Sequence, residues 1–410
     1  MKRREILKSL TILPLAGSMT AAAAPLENVF SAIAPVAKRD LFAELGIKTF
    51  INAAGNYTVM SGSLMPAEVM DAINAASKKF ALIDDVQEKV GERIAQICHA
   101  EAALVSAGCW SALMLGMAGV LTGMDSKRVS QVPNLAGTGM KSEVILQKSH
   151  SAGYDHALTQ AGVKLIKVET RAEVEAAINE NTAMLWFLNR EVHKGQIKHE
   201  EWLEIGKKFN LPTMIDIAAD VPPVENLWKF NDMGFDLVVI SGGKAMRGPQ
   251  STGILMGKKK YVDAARMSNN PRGGIGRGQK VNKEEVLGLY AALERFVNLD
   301  HKKEWEMWER KIAFIASTIK TIPGVTTSSY VPETLDNQMP TLKVTWDSSK
   351  IKLTNIEMGE RLRQGNPSVE VISWEAPNTI RCGMHVLEAG EEKIVAARLK
   401  EELLKASVKS

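Results

Sequence analysis

From Phe42 onward the apolar positions follow two alternating rhythms. Short runs at Ala102–Ser106, Glu143–Gln147, Lys164–Val168, Ala183–Leu188, Pro212–Ile217, Leu237–Ser241 and Gly253–Met256 have the length of strands buried on both faces. Between them, apolar residues return every three or four positions, as in Arg171–Ile178 and Glu200–Phe209, which predicts amphipathic helices. Seven strands mostly separated by helices predict an α/β fold with a mainly parallel, doubly wound seven-stranded sheet. Right-handed crossovers gather the strand mouths and their loops on one edge.

A longer helical pattern over Val281–Leu299 opens with Lys283-Glu284-Glu285 and leads into a smaller C-terminal α+β domain starting near His301. There Thr341–Trp346 and Thr379–Cys382 read as strands, and Glu391–Leu404 as a closing helix. The expected organisation is a targeting segment at residues 1–24, an arm at 25–45, a large domain at 46–300 and a small one at 301–410. The targeting segment rests on Lys2-Arg3-Arg4, a modestly apolar stretch from Ser9 to Met19, and the small residues Ala21 to Ala24. This pattern resembles a twin-arginine export signal, so the twin-arginine export machinery is an expected partner and the periplasm the expected location.

Composition narrows the function. At 410 residues and 45% hydrophobic, the chain can bury a sizeable core. Cys98, Cys109 and Cys382 have no CxxC spacing, which argues against a disulfide framework or a zinc site; no metal is expected. No apolar run is long enough for a membrane anchor. The net charge is +4, and losing residues 1–24, with four basic and one acidic residue, leaves +1. No broad basic surface is left for nucleic acid.

The chemistry concentrates at two strand ends. Asp236-Leu237-Val238-Val239-Ile240-Ser241-Gly242-Gly243-Lys244 places a lysine just past one strand. Leu211–Asp216, 28 positions earlier, ends in a carboxylate. Pyridoxal 5'-phosphate chemistry needs this pair, a lysine for the Schiff base and a carboxylate to keep the pyridine nitrogen protonated. Open α/β sheets bind ligands at the strands' carboxyl ends. A phosphate cradle is expected at Ser106, Ala107, Gly108 and Cys109, a small-residue turn between a strand and a helix, with Ser241 adding a hydroxyl. His150 is the candidate ring over the cofactor, with Tyr154 and Asp155 behind it. Arg381 and Arg277 are candidate forks for a substrate carboxylate.

On these residues the chain resembles the selenocysteine synthase-like group of fold-type I pyridoxal phosphate enzymes, which includes L-seryl-tRNA(Sec) selenium transferase and D-glucosaminate-6-phosphate ammonia-lyase. The resemblance runs over residues 40–405. It rests on Ile51–Thr58, Gly62–Pro66, Glu101–Val105, Asp216–Pro223, and above all Ser241-Gly242-Gly243-Lys244-Ala245-Met246-Arg247-Gly248-Pro249-Gln250. It implies that Lys244 carries the cofactor, that Asp216 pairs with the ring nitrogen, and that the chain is a homodimer or higher homo-oligomer. Cys109-Trp110 departs from the small residues usual there, and the indole is expected to narrow the pocket. The expected activity is α-proton abstraction by Lys244 from a small amino acid or amino sugar acid, followed by β-elimination. The alternatives are racemisation, β-replacement, or an inert exported binding protein.

Overall fold

The computed structural model describes residues 39–408; the paired arginines and most of the expected arm lie outside them. The chain divides into two units at Thr49 and Phe50. The first, where described, holds a one-turn helix, Leu41–Glu44, capped by the Asp40 carboxylate.

The second unit carries the predicted strands: β1 (Ala102–Ser106), β2 (Glu143–Gln147), β3 (Lys164–Val168), β4 (Thr182–Leu188), β5 (Thr213–Asp216), β6 (Leu237–Ser241) and β7 (Gly253–Gly257). They form one sheet in the order β1-β7-β6-β5-β4-β2-β3. Only β7 runs antiparallel to its neighbours. Every residue of β4, β5 and β7 is buried, which is why these strands read as continuous apolar runs. Successive residues feed opposite cores. Leu185, Phe187, Ile215 and Val238 pack on one face, and Met184, Trp186, Met214 and Val239 on the other. The helix Gly108–Thr122 lies in the second core and is apolar almost all round.

A second sheet stands at the C-terminal end, with antiparallel strands β8 (Val325–Tyr330), β9 (Thr341–Trp346) and β10 (Thr379–Gly383) in the order β10-β9-β8. The sequence reading missed β8, because Thr326-Thr327-Ser328-Ser329 sits on an exposed edge and carries no apolar alternation. The helices His301–Ile319 and Glu391–Ala406 share a core with this sheet. Ala53 belongs to that core, and Ile51–Asn52 pairs in parallel with Val369–Glu370. Residues 51–53 therefore pack with the C-terminal layer although they precede the large sheet in sequence.

Candidate active site

Sheet register assembles the floor of the site. Leu188, Asp216 and Val239 are partners across β4, β5 and β6. Ser106 and Ser241 flank Gly253 from either side. The ends of β1, β7 and β6 thus lie side by side, bringing the expected phosphate turn next to the Lys244 turn.

That turn is held from three directions. The Gly242 N–H donates to the Thr252 carbonyl at 2.9 Å, and the Lys244 carbonyl accepts from the Arg247 N–H and the Ser63 hydroxyl, both at 2.9 Å. Glycine is required at Gly243, where a Cβ would sit 2.3 Å from the Gln250 Cα. Asp216 is 2% exposed. Burial raises its pKa, and its Oδ1 accepts from the Ala218 N–H at 2.9 Å and the Cys109 thiol at 3.7 Å. Burial likewise pushes the Cys109 thiol well up, with Asp216 adding to the rise, so Cys109 is a neutral donor toward that carboxylate.

The turn Ser106–Cys109 opens the helix Gly108–Thr122 behind the N-cap Ala107, which provides no side-chain acceptor. The first N–H groups of this helix are therefore available to an anion. Gly108 has φ +85°, and the Ser106 hydroxyl closes the turn onto the Gly108 carbonyl at 2.9 Å. Lysine, buried carboxylate and uncapped helix turn form a set that fits pyridoxal phosphate.

Lys244 and Asp216 line one cavity of about 120 Å³. Asn56, Tyr57 and Thr58, Tyr154, Arg190, Asp220, and Asp336 with Asn337 complete its polar lining. A larger depression, about 710 Å³, lies at the other ends of β5 and β6 around Thr213 and Asp236, away from Lys244. Open sheets of this kind bind ligands at the strands' carboxyl ends, so chemistry rather than size selects the smaller cavity.

The remaining sequence candidates scatter. His150 does not line this cavity. It is fully buried against Phe187, its Nδ1 accepts from the Leu188 N–H at 3.2 Å, and burial lowers its pKa to about 3. Tyr154, ranked behind it, does line the cavity, while Asp155 is buried and accepts from Ser151 and Gly153. Trp110 is 39% exposed and absent from the lining, so the expected narrowing by its indole is not observed. Arg277 is exposed, on a loop tied to the phosphate helix by a hydrogen bond between Ser111 and Gln279. Arg381 lines a separate pocket of about 370 Å³, paired with Glu375 and donating to the Tyr330 hydroxyl. The sequence reading missed Arg190, Asp220 and Asp336. The signal for Arg190 was present, since it follows β4 as Asp216 ends β5.

A family model described as L-seryl-tRNA selenium transferase matches residues 58–322. The D-glucosaminate-6-phosphate ammonia lyase of Salmonella typhimurium is 27% identical over 374 residues, covering 88% of this chain and 97% of that one. A solved structure of D-glucosaminate-6-phosphate ammonia-lyase superposes with a TM-score of 0.78 at 26% identity, over 90% of this chain and all of the other. The structure of SPT with PLP shares the fold at 14% identity and a TM-score of 0.55, over 88% of this chain and 89% of that one.

Proposed function

Because the chain belongs to the L-seryl-tRNA selenium transferase family of pyridoxal phosphate-dependent enzymes, we propose that it eliminates a β-substituent from a small amino acid or amino sugar acid, releasing ammonia and an oxo acid. The observation that carries this reading is that Lys244 and the buried Asp216 line one cavity at the strands' carboxyl ends. Pyridoxal phosphate, when bound, supplies the electron sink. Asp216 would pair with the protonated ring nitrogen, and its burial would leave that pairing unscreened by water. The Lys244 amine takes the α-proton, in a turn fixed by Ser63 and Thr252. The N–H groups opening the helix Gly108–Thr122 would hold the cofactor's phosphate. A small amino compound also suits the relative named a D-glucosaminate-6-phosphate ammonia lyase.

The test is the absorption spectrum of purified protein with a panel of D- and L-amino acids and hydroxylated amino acids, beside Lys244→Ala. The expected result is a visible band from lysine-bound cofactor, absent in the variant, and ammonia release falling about 10³-fold or more. Inversion of the α-carbon without ammonia would assign racemisation instead. No band in reconstituted protein would overturn the role of Lys244.

We also infer export through the twin-arginine route, on Lys2-Arg3-Arg4 and the small residues Ala21 to Ala24. Replacing Arg3 and Arg4 with lysine should leave the protein in the cytoplasmic fraction. A homo-oligomer is the expected assembly, to be checked by sedimentation.

A further inference from the structure

We propose that Arg190 receives the carboxylate of a hydroxylated amino acid substrate, that Asp336 occupies Arg190 until the substrate arrives, and that Asn56 and Asn337 take the substrate's hydroxyl groups. This rests on the elimination reading for the reaction, but not for the binding.

Among the described residues, Arg190 and Lys244 are the cations lining the cavity. Lys244 is committed to the cofactor, so an incoming carboxylate has one partner, and Arg190 lies immediately beyond the carboxyl end of β4. Arg381, the other candidate, is engaged by Glu375 and Tyr330 in a different pocket.

The present partner of Arg190 is a loose one. Its Nη1 lies 3.4 Å from the Asp336 Oδ2, whereas a charge-assisted bond of this kind closes to about 2.7–2.9 Å. The Nε is held by Glu191 at 3.1 Å, which fixes the guanidinium plane while leaving its outer edge for exchange. A substrate carboxylate able to form two parallel bonds would displace the single long contact. Keeping both would set two carboxylates together beside the buried Asp216, a like-charge arrangement that favours exchange over addition.

Asp336 is carried by a connection outside the sheets. It sits in the connection between β8 and β9, whose Asn337 N–H donates to the Ala219 carbonyl at 2.7 Å. The cavity beneath this connection is about 120 Å³, well below the roughly 300–1,000 Å³ of ligand sites. Room for substrate beside the cofactor is made when Asp336 lets go.

Two polar atoms at the cavity point to the rest of the substrate. The Asn56 Nδ2 and the Asn337 Oδ1 are buried without a hydrogen-bond partner, in a lining that contains both residues. Asn56 is only 4% exposed. An unpaired donor and an unpaired acceptor beside the carboxylate site match hydroxyl groups, which both donate and accept. The substrate class is thus a hydroxylated α-amino acid.

The test is equilibrium binding to holoenzyme, followed by calorimetry or by the cofactor spectrum, using serine and glucosaminate beside their carboxamides. In Arg190→Gln, affinity for the acids should fall about 10–100-fold, with the amides unchanged within about twofold. Asp336→Asn should do the opposite and tighten the acids while leaving the amides alone. Equal losses for acids and amides, acids weakened by Asp336→Asn, or no binding of any acid by the wild type would each overturn the assignment. If Arg190→Gln does not fold, the sign of the Asp336→Asn effect decides. Acid-selective binding without ammonia release would leave this site standing and defeat the elimination reading; ammonia release with unchanged acid affinity in Arg190→Gln would do the reverse.

Discussion

The floor and the roof of the cavity are built by different means. The floor, with Asp216, Lys244 and the turn Ser106–Cys109, consists of neighbouring strand ends in one sheet, locked by backbone register. The roof draws Tyr57, Asp336 and Asn337 from segments far apart in sequence and Arg190 from the turn that follows β4, held by side chains and single hydrogen bonds. Strand ends give positions that cannot drift, which suits a proton transfer that tolerates little displacement. Connections held by one or two bonds can exchange partners, which suits admission of substrate. The difference predicts that floor changes will strike turnover, and roof changes affinity.

The largest break in that contrast is expected at Asp216, after Lys244 itself. Asp216→Asn keeps the volume but removes the charge that would pair with the ring nitrogen, and should lower kcat on the order of 10²–10³-fold with KM nearly constant. The fold should persist, because asparagine still accepts from the Ala218 N–H. A KM effect exceeding the kcat effect would place Asp216 in the roof's class.

Acid should loosen the packing under the floor. His150 and His199 flank Phe187, and burial lowers their pKa values to about 3 and about 4. The unfolded chain takes up protons near pH 6.5 while the folded chain does not, so it binds more protons and stability falls as pH drops below that value. The expected loss between pH 6.5 and pH 5 is about 2–4 kcal/mol, seen as a falling Tm. His199→Gln keeps a donor to the Asn189 Oδ1, which the Nε2 contacts at 2.7 Å, and should remove part of the slope. A Tm independent of pH over that range would show that these rings accept protons without disturbing the core.

Gly253 tests whether the phosphate turn truly belongs to the rigid floor. A Cβ there would sit 2.5 Å from the Gly108 carbonyl carbon, backbone that cannot rotate away. Gly253→Ala should cost about 1–3 kcal/mol and weaken cofactor retention about tenfold or more, read by dialysis against buffer without cofactor. Undiminished retention would mean that the turn adapts and that the uncapped helix alone suffices.

Legibility in the sequence follows the same division. Strands buried on both faces announce themselves as apolar runs, and a carboxylate or lysine at the end of such a run is visible without a structure; Asp216 and Lys244 were nominated that way, and both line one cavity. Asp336 had no such signal, because it lies in a connection whose preceding strand, β8, is polar and exposed. Arg190 was overlooked although it obeys the same strand-end rule. His150 packs against Phe187 outside the cavity lining, which the sequence does not reveal because a histidine after a strand reads identically whether its ring turns toward a cavity or into the core.

The finest distinction falls on Arg381, which the sequence offered as the carboxylate fork. It pairs with Glu375 and Tyr330, away from Lys244, yet its charge acts on Tyr57, which borders the cavity. Burial raises the Tyr57 pKa while Arg381 opposes that rise. Arg381 is therefore a positioning residue acting through a roof side chain. Arg381→Lys retains the charge but loses the planar fork, and its effect should be confined to KM, by no more than about threefold, for acids and amides alike. A loss restricted to acids would return the carboxylate to Arg381 and move the binding site out of the cavity beside Lys244. Equal, small changes leave Arg190 as the group that distinguishes them.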